Sequence, residues 1–171
     1  MTSEDLDEFD CRILSALQRD CRLSIAELAE RAGLSPSACH RRVKQLEERG
    51  VILGYVAGLD RQKLGFSIEF FVEISLVAQS EEALEKFEQA VQRVPEILEC
   101  HLMSGTADYL LRVAAKDAPD YERIHRSRIA RLPGVSRIQS SLSLRSVKAW
   151  AGYPVGSEGR GERPRVSRDS M

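Results

Sequence analysis

Between Ser35 and Arg49 the chain reads Ser-Pro-Ser-Ala-Cys-His-Arg-Arg-Val-Lys-Gln-Leu-Glu-Glu-Arg, its densest run of side chains able to donate paired hydrogen bonds. With Pro36 opening a helix, Cys39, Val43 and Leu46 recur at i, i+4 and i+7 and form an apolar stripe. The opposite side carries Ser37, Ala38, Arg41, Lys44 and Gln45, with His40 and Arg42 on the flanks. Small residues near a helix N-terminus permit close approach to base edges, while Arg and Gln can pair with guanine and adenine. These seven residues are the candidate contacts to double-stranded DNA. A solvated basic face on an ordinary helical bundle would show the same composition, so the neighbouring elements must decide.

Those elements favour DNA. Ser24 and Glu27 have the spacing of a capping box that starts a preceding helix. Gly33 supplies its left-handed stop, and Ser35-Pro36 provides the N-cap and first position of the next helix. Two helices joined by a tight Gly-containing turn make a helix-turn-helix, whose second helix is shaped for the major groove. Asp5 to Asp20 is expected as a first helix, with Phe9, Ile13 and Leu17 inward and Asp5 capping ahead of Glu8. After Gly50, residues 51–56 are expected as a short strand or wing, closing a winged helix-turn-helix domain at 1–56, with a linker at 57–65.

A different periodicity begins at Phe66. Ile68, Phe70, Val72, Ile74 and Leu76 alternate with Glu69, Phe71, Glu73 and Ser75 as a strand with one buried face. Ser80 caps a helix to about Val94, strands follow at Ile97–Met103 and Tyr109–Ala114 around a turn, and Asp117–Leu132 is a helix with Tyr121, Ile124, the Arg128 stem and Leu132 inward. A last strand runs from Val135 to about Val147. The order βαββαβ over 66–151 predicts a ferredoxin-like domain, so the fold class is α+β. Phe71 hints that a second subunit covers the sheet's bare face. From Gly152 to 171, Gly, Ser, Pro and Arg dominate and a disordered tail is expected.

Overall charge is −1, but residues 11–58 carry eight Lys/Arg against five Asp/Glu, a local net of +3 beside the acidic start at Glu4, Asp5, Asp7, Glu8 and Asp10. Cys11, Cys21, Cys39 and Cys100 form no Cys-x-x-Cys pair and no cluster with the three histidines, so they are expected as ordinary thiols with no metal. No nucleophile, base and orienting group share a catalytic spacing and no cofactor motif occurs, so no catalytic residues and no cofactor are expected. Without a signal peptide or long apolar run, the expected location is cytoplasmic, with no membrane contact.

A helix-turn-helix unit followed by a ferredoxin-like domain resembles the leucine-responsive/AsnC (feast/famine) family of transcriptional regulators. The likeness is carried by Leu6-Asp7, Asp10, Ile13-Leu14, Gly33-Leu34-Ser35, Arg42-Val43, Leu46-Glu47 and Gly50-Val51-Ile52-Leu53-Gly54-Tyr55. Further on, Phe71-Val72-Glu73-Ile74, Glu99-Cys100-His101-Leu102, Gly105 with Asp108-Tyr109, and Leu132-Pro133-Gly134-Val135 match too. The resemblance implies a homodimer formed through the C-terminal sheets, often four dimers in an octamer, and an amino-acid effector held between dimers. It places that effector at Gly105, Thr106, Ala107, Asp108 and Tyr109 of the hairpin turn, and at Ser140, Ser141, Leu142 and Ser143 of a neighbour's last strand. Thr106 stands where many family members have an acidic residue. The competing reading is an amino-acid-binding oligomer whose N-terminal helices serve assembly alone; DNA binding separates the two.

Overall fold

The computed structural model describes residues 6–155, which fall into two compact units: the chain up to Ala57 together with Lys148 onward, and Gly58–Val147. In the first unit α1 (Glu8–Arg19), α2 (Ile25–Ala32) and α3 (Pro36–Glu48) pack around one core. Helix α1 is capped by Asp7, not Asp5: the Asp7 carboxylate accepts the Asp10 N–H at 2.9 Å, and the Asp10 carboxylate accepts the Asp7 N–H at 3.4 Å. The same three-residue spacing exists at both places, and the later pair has the added partner Arg42. Ser24 and Glu27 form the expected capping box, Gly33 ends α2 at φ 71°, and Ser35 caps α3 with Pro36 in its first turn. Cys39, Val43 and Leu46 are buried with Ile13, Leu28 and Ala32, so the apolar stripe is core. Fully buried Leu and Ile side chains each contribute about 1.5–3 kcal/mol here.

No strand forms at 51–56. The Val51 and Ile52 N–H groups bond back to the Leu46 carbonyl at 2.9 and 3.2 Å, and the chain then runs extended with no ladder partner, leaving Leu53 and Val56 exposed. A wing strand needs a second strand beside it. Residues 152–155, expected as the start of a disordered tail, are instead attached: Val155 packs on the helical core and Tyr153 bonds to Gln18. The remainder of that expected tail, 156–171, lies outside the described residues.

The second unit is a four-stranded antiparallel sheet in the order β2-β3-β1-β4, from β1 (Ile68–Leu76), β2 (Ile97–Leu102), β3 (Tyr109–Ala115) and β4 (Val135–Leu142). With α4 (Glu81–Val91) after β1 and α5 (Ala118–Ser127) after β3, this is the ferredoxin-like arrangement. Phe87, Val91, Tyr121 and Ile124 of the helices share a core with Val72, Ile74, Leu111 and Val113 of the sheet. Several details differ from expectation; α4, for one, ends at Val91, short of Val94. Helix α5 stops at Ser127, and a 3₁₀ turn at Ile129–Arg131 turns Ile129, not Arg128, into the core. Strand β4 ends at Leu142, well before Val147. On the sheet's other face Phe71 remains 41% exposed, beside a chain of ion pairs from Glu69 through Arg112 to Glu99 and His101.

Candidate nucleic-acid interface and ligand cleft

Helix α3 presents Ser37, His40, Arg41, Lys44 and Gln45 to solvent, with Ala38 half-buried between them. Its first turn carries no acidic residue, so no carboxylate offsets the positive end of the helix dipole there, an arrangement suited to phosphate. The Ser35 hydroxyl accepts the Ala38 N–H at 3.3 Å and lies 3.3 Å from the Ser37 hydroxyl. At the far end Glu47 accepts a hydrogen bond from the Tyr55 hydroxyl at 2.8 Å, which holds that carboxylate aside. Burial, reinforced by Glu47, pushes the Tyr55 phenol up to about 12, so it stays a neutral donor.

Arg42 is set apart from the other six. Its guanidinium donates to Asp7 Oδ2 at 2.7 Å and Asp10 Oδ1 at 2.9 Å, lies 5.4 Å from the Phe9 ring centroid, and its side chain is 24% exposed. Asp10 is the single buried charged residue among those described. Arg42 therefore ties the start of α1 to the middle of α3 and leaves the outward face to its neighbours. The spacing carried a signal for this: Arg42 lies three residues after Cys39 and four before Leu46, which puts it on the rim of the buried stripe.

The hairpin turn and the open face of the sheet enclose a cavity of about 300 Å³ lined by Glu73, Ser75, Thr106, Ala107, Arg137 and Gln139. Strand register assembles it. Ser75 pairs with Arg137 and Glu73 with Gln139 between β1 and β4, while Ile74 opposite Tyr109 brings the turn to the same end. Glu73 and Arg137 are then diagonal neighbours on one face, about 7–8 Å apart. Neither enters an ion pair among the described residues, although Arg137 donates to Gln139 at 3.2 Å. An unpaired carboxylate and guanidinium at that separation can take the ammonium and carboxylate of a zwitterion.

Among the turn residues carried over from the resemblance, Thr106 and Ala107 line this cavity, while Gly105 sits exposed beside them. Asp108 braces the turn: its carboxylate accepts the Leu76 N–H at 2.7 Å and the Gln79 amide at 2.6 Å. Tyr109 is 1% exposed, its ring tilted 31° against that of Phe87 and its hydroxyl donating to Glu88 at 2.8 Å; burial, with Glu88 beside it, drives its phenol pKa strongly upward. Within one chain Ser140, Ser141, Leu142 and Ser143 lie elsewhere. Ser140 takes a hydrogen bond from Tyr121 on the helix side, Ser141 and Leu142 face Phe71 and Phe70, and the Ser143 N–H bonds to Glu69. Four residues of strand separate Ser141 from Arg137, roughly 13 Å.

Two family descriptions match the two units: a winged helix-turn-helix DNA-binding domain over residues 6–52, and the Lrp/AsnC ligand binding domain over 69–151. The proline dehydrogenase transcriptional activator of Rhizobium radiobacter is 42% identical over 146 residues, which span 85% of this chain and 94% of that protein. The chain belongs to the Lrp/AsnC family of transcriptional regulators. The leucine-responsive regulatory protein of Klebsiella pneumoniae is 43% identical over 145 residues, 85% of this chain and 88% of its own length. A Neisseria meningitidis transcriptional regulator solved in complex with L-Met superposes with a TM-score of 0.83 at 35% identity, covering 87% of this chain and 96% of that one. In this Lrp/AsnC chain, then, the helix-turn-helix and the ferredoxin-like domain are the DNA-binding and ligand-binding parts of a regulator. Sequence reasoning missed Glu73, Ser75, Arg137 and Gln139 as cleft residues. Their only trace was polarity on the alternate positions of β1 and β4, and which of those positions meet the turn depends on register.

Proposed function

We infer that this regulator binds specific DNA sites as a homo-oligomer and changes its DNA affinity when an amino acid occupies the cleft at Thr106. The observation that carries the reading is the outward face of α3, where Ser37, His40, Arg41, Lys44 and Gln45 stand clear of the core while Cys39, Val43 and Leu46 hold the helix from behind. Ser37 and Ala38 allow approach to base edges, Arg41 and Gln45 read them, and His40 and Lys44 meet phosphate. In the cleft, Glu73 takes the ammonium, Arg137 the carboxylate, and Thr106 and Ala107 bound the side chain; L-methionine, the ligand of the Neisseria relative, is the first to try. Thr106 brings no charge, which favours an uncharged effector side chain.

A homodimer closed over the open sheet face covers Phe71, and pairing of dimers, up to an octamer, brings a neighbour's Ser140 to Ser143 strand within reach of the turn. No helix among the described residues is long and apolar enough to cross a membrane; a cytoplasmic protein with no resident cofactor fits the reading. The test is a gel shift on the promoter fragment beside the protein's own gene, with and without each proteinogenic L-amino acid. Retarded DNA whose midpoint moves with one amino acid is the expected result. Failure to bind any duplex at low salt refutes the DNA role, and binding that ignores every amino acid refutes the effector role.

A further inference from the structure

The segment 148–155 belongs to the DNA-binding unit although it follows β4 of the other. Its attachment is specific. The Gln18 side chain on α1 forms a two-way amide pair with Tyr153, donating Nε2–H to the Tyr153 carbonyl at 2.9 Å and accepting the Tyr153 N–H on Oε1 at 2.6 Å. Gly152 makes that approach possible: its φ is 96°, and a Cβ there would overlap the Gln18 carboxamide. Val155 then packs against the helical core.

The attachment is also shallow. Trp150 and Tyr153, edge to face at 4.8 Å, are both about three-quarters exposed, and a cavity of about 650 Å³ lined by Ser15, Gln18 and Arg19 lies beneath the segment. A strap held, among the described residues, by an amide pair and an apolar contact, with its aromatic side chains largely exposed, can dock and undock at small free-energy cost. Its covalent neighbour matters more. Strand β4 supplies Arg137 and Gln139 to the cleft and leads through 143–147 directly into the strap. On the other side, α1 carries Gln18 near its end and Asp10 near its start, and Asp7 and Asp10 hold Arg42 of α3.

We propose that the 148–155 strap, anchored at Gln18, is the two-state element through which amino-acid occupancy of the cleft reaches the DNA-reading helices. This rests on the cleft being the effector site. An effector shifts DNA affinity only if its binding favours one of two states that the DNA also distinguishes, and docked against undocked strap supplies such a pair. Gln18 is a positioning residue in this scheme: it touches neither the cleft nor the outward face of α3.

The test uses the full-length chain. Thermal-shift assays of the wild type against the proteinogenic L-amino acids, L-methionine among them, identify the strongest binder. That amino acid then enters operator titrations of wild type, Gln18→Ala and Gly152→Val. The expected result is that both variants keep the amino-acid-induced thermal shift and bind the operator within about threefold of wild type when the amino acid is absent, while the ratio of operator Kd with and without it collapses to about one. Two variants acting from opposite sides of the contact guard against a local fault in either. Wild-type ratios in both overturn the proposal, as does loss of the thermal shift in both, because the strap has no part in the cleft. A wild type that no amino acid shifts, or whose operator affinity ignores its ligand, refutes the effector reading itself and the strap's role with it.

Discussion

Replacing Arg42 with Met separates bracing from DNA contact. The substitution keeps an unbranched apolar stem but removes the guanidinium that joins α1 to α3. Two carboxylates lose their partner, and they are not equivalent: the Asp7 side chain is 49% exposed and the Asp10 side chain 10%. Water replaces most of what Asp7 loses, so that pair is worth about 0.5 kcal/mol. Asp10 is left as a nearly buried charge without its cation, which costs about 2–3 kcal/mol. The sum, about 3 kcal/mol, lowers the midpoint of a helical unit of this size by roughly 12–24 °C. Operator binding measured well below that midpoint keeps its salt dependence, because no phosphate contact is lost. Lys44→Met behaves in the opposite way: its melting temperature stays near wild type, and the slope of log K against log salt becomes shallower by about 0.9. The assays are differential scanning calorimetry and operator titration across salt. An Arg42→Met protein that melts with the wild type and shows a shallower salt slope refutes the assignment of Arg42 as a brace.

Other outcomes follow from the same geometry. Arg137→Ala and Glu73→Ala should each weaken amino-acid binding by about tenfold or more, a change of about 1.4 kcal/mol, with operator affinity in the ligand's absence unchanged; calorimetric titration checks it, and intact binding in both removes them from the cleft. The Asp10 N–H, then Arg42, hold the Asp7 carboxyl below its ordinary pKa. Its stabilisation is therefore complete above about pH 4 and is lost as pH falls through the lower folded value. Asp7→Asn should accordingly melt below wild type at neutral pH and converge with it in acid, as read by circular dichroism. Cys21 is exposed, whereas burial raises the Cys39 thiol, and burial with the Glu88 charge pushes Cys100 up to about 11. Cys21→Ser should then abolish the fastest phase of thiol labelling at pH 8, and a retained fast phase contradicts that order of reactivity.

What is legible in the sequence alone follows a physical divide. Interactions that close within four residues were legible: the Ser24–Glu27 capping box, the Gly33 stop, the Ser35-Pro36 start, and the stripe of Cys39, Val43 and Leu46. The βαββαβ succession followed from the alternation of β1 and the capped helical segments between the strands. Long-range partners were not legible. Arg42 looked like one more cation on a basic helix until Asp7 and Asp10, more than thirty residues away, were placed beside it. Glu73, Arg137 and Gln139 became a cleft only through the β1–β4 register. The 3₁₀ turn that exchanges Arg128 for Ile129 has a local cause, yet helical periodicity alone carries no mark of where one pitch gives way to another. The segment from Gly152 reads as a tail because its composition is polar, and what attaches it, the Tyr153 backbone paired with Gln18 and Val155 on the helical core, is a long-range contact that composition does not report.

The helical unit is built from two distant stretches of chain, and ribosomes deliver them in order. When Glu48 has left the exit tunnel, roughly 100 residues remain before Tyr153 follows, about 5–20 s at ordinary translation rates. Throughout that interval Gln18 has no Tyr153 to pair with. A nascent or prematurely released polypeptide would thus display a DNA-reading helix that has not yet acquired its last contact. Quality control that clears such fragments quickly would protect promoters from a reader without its ligand-binding domain.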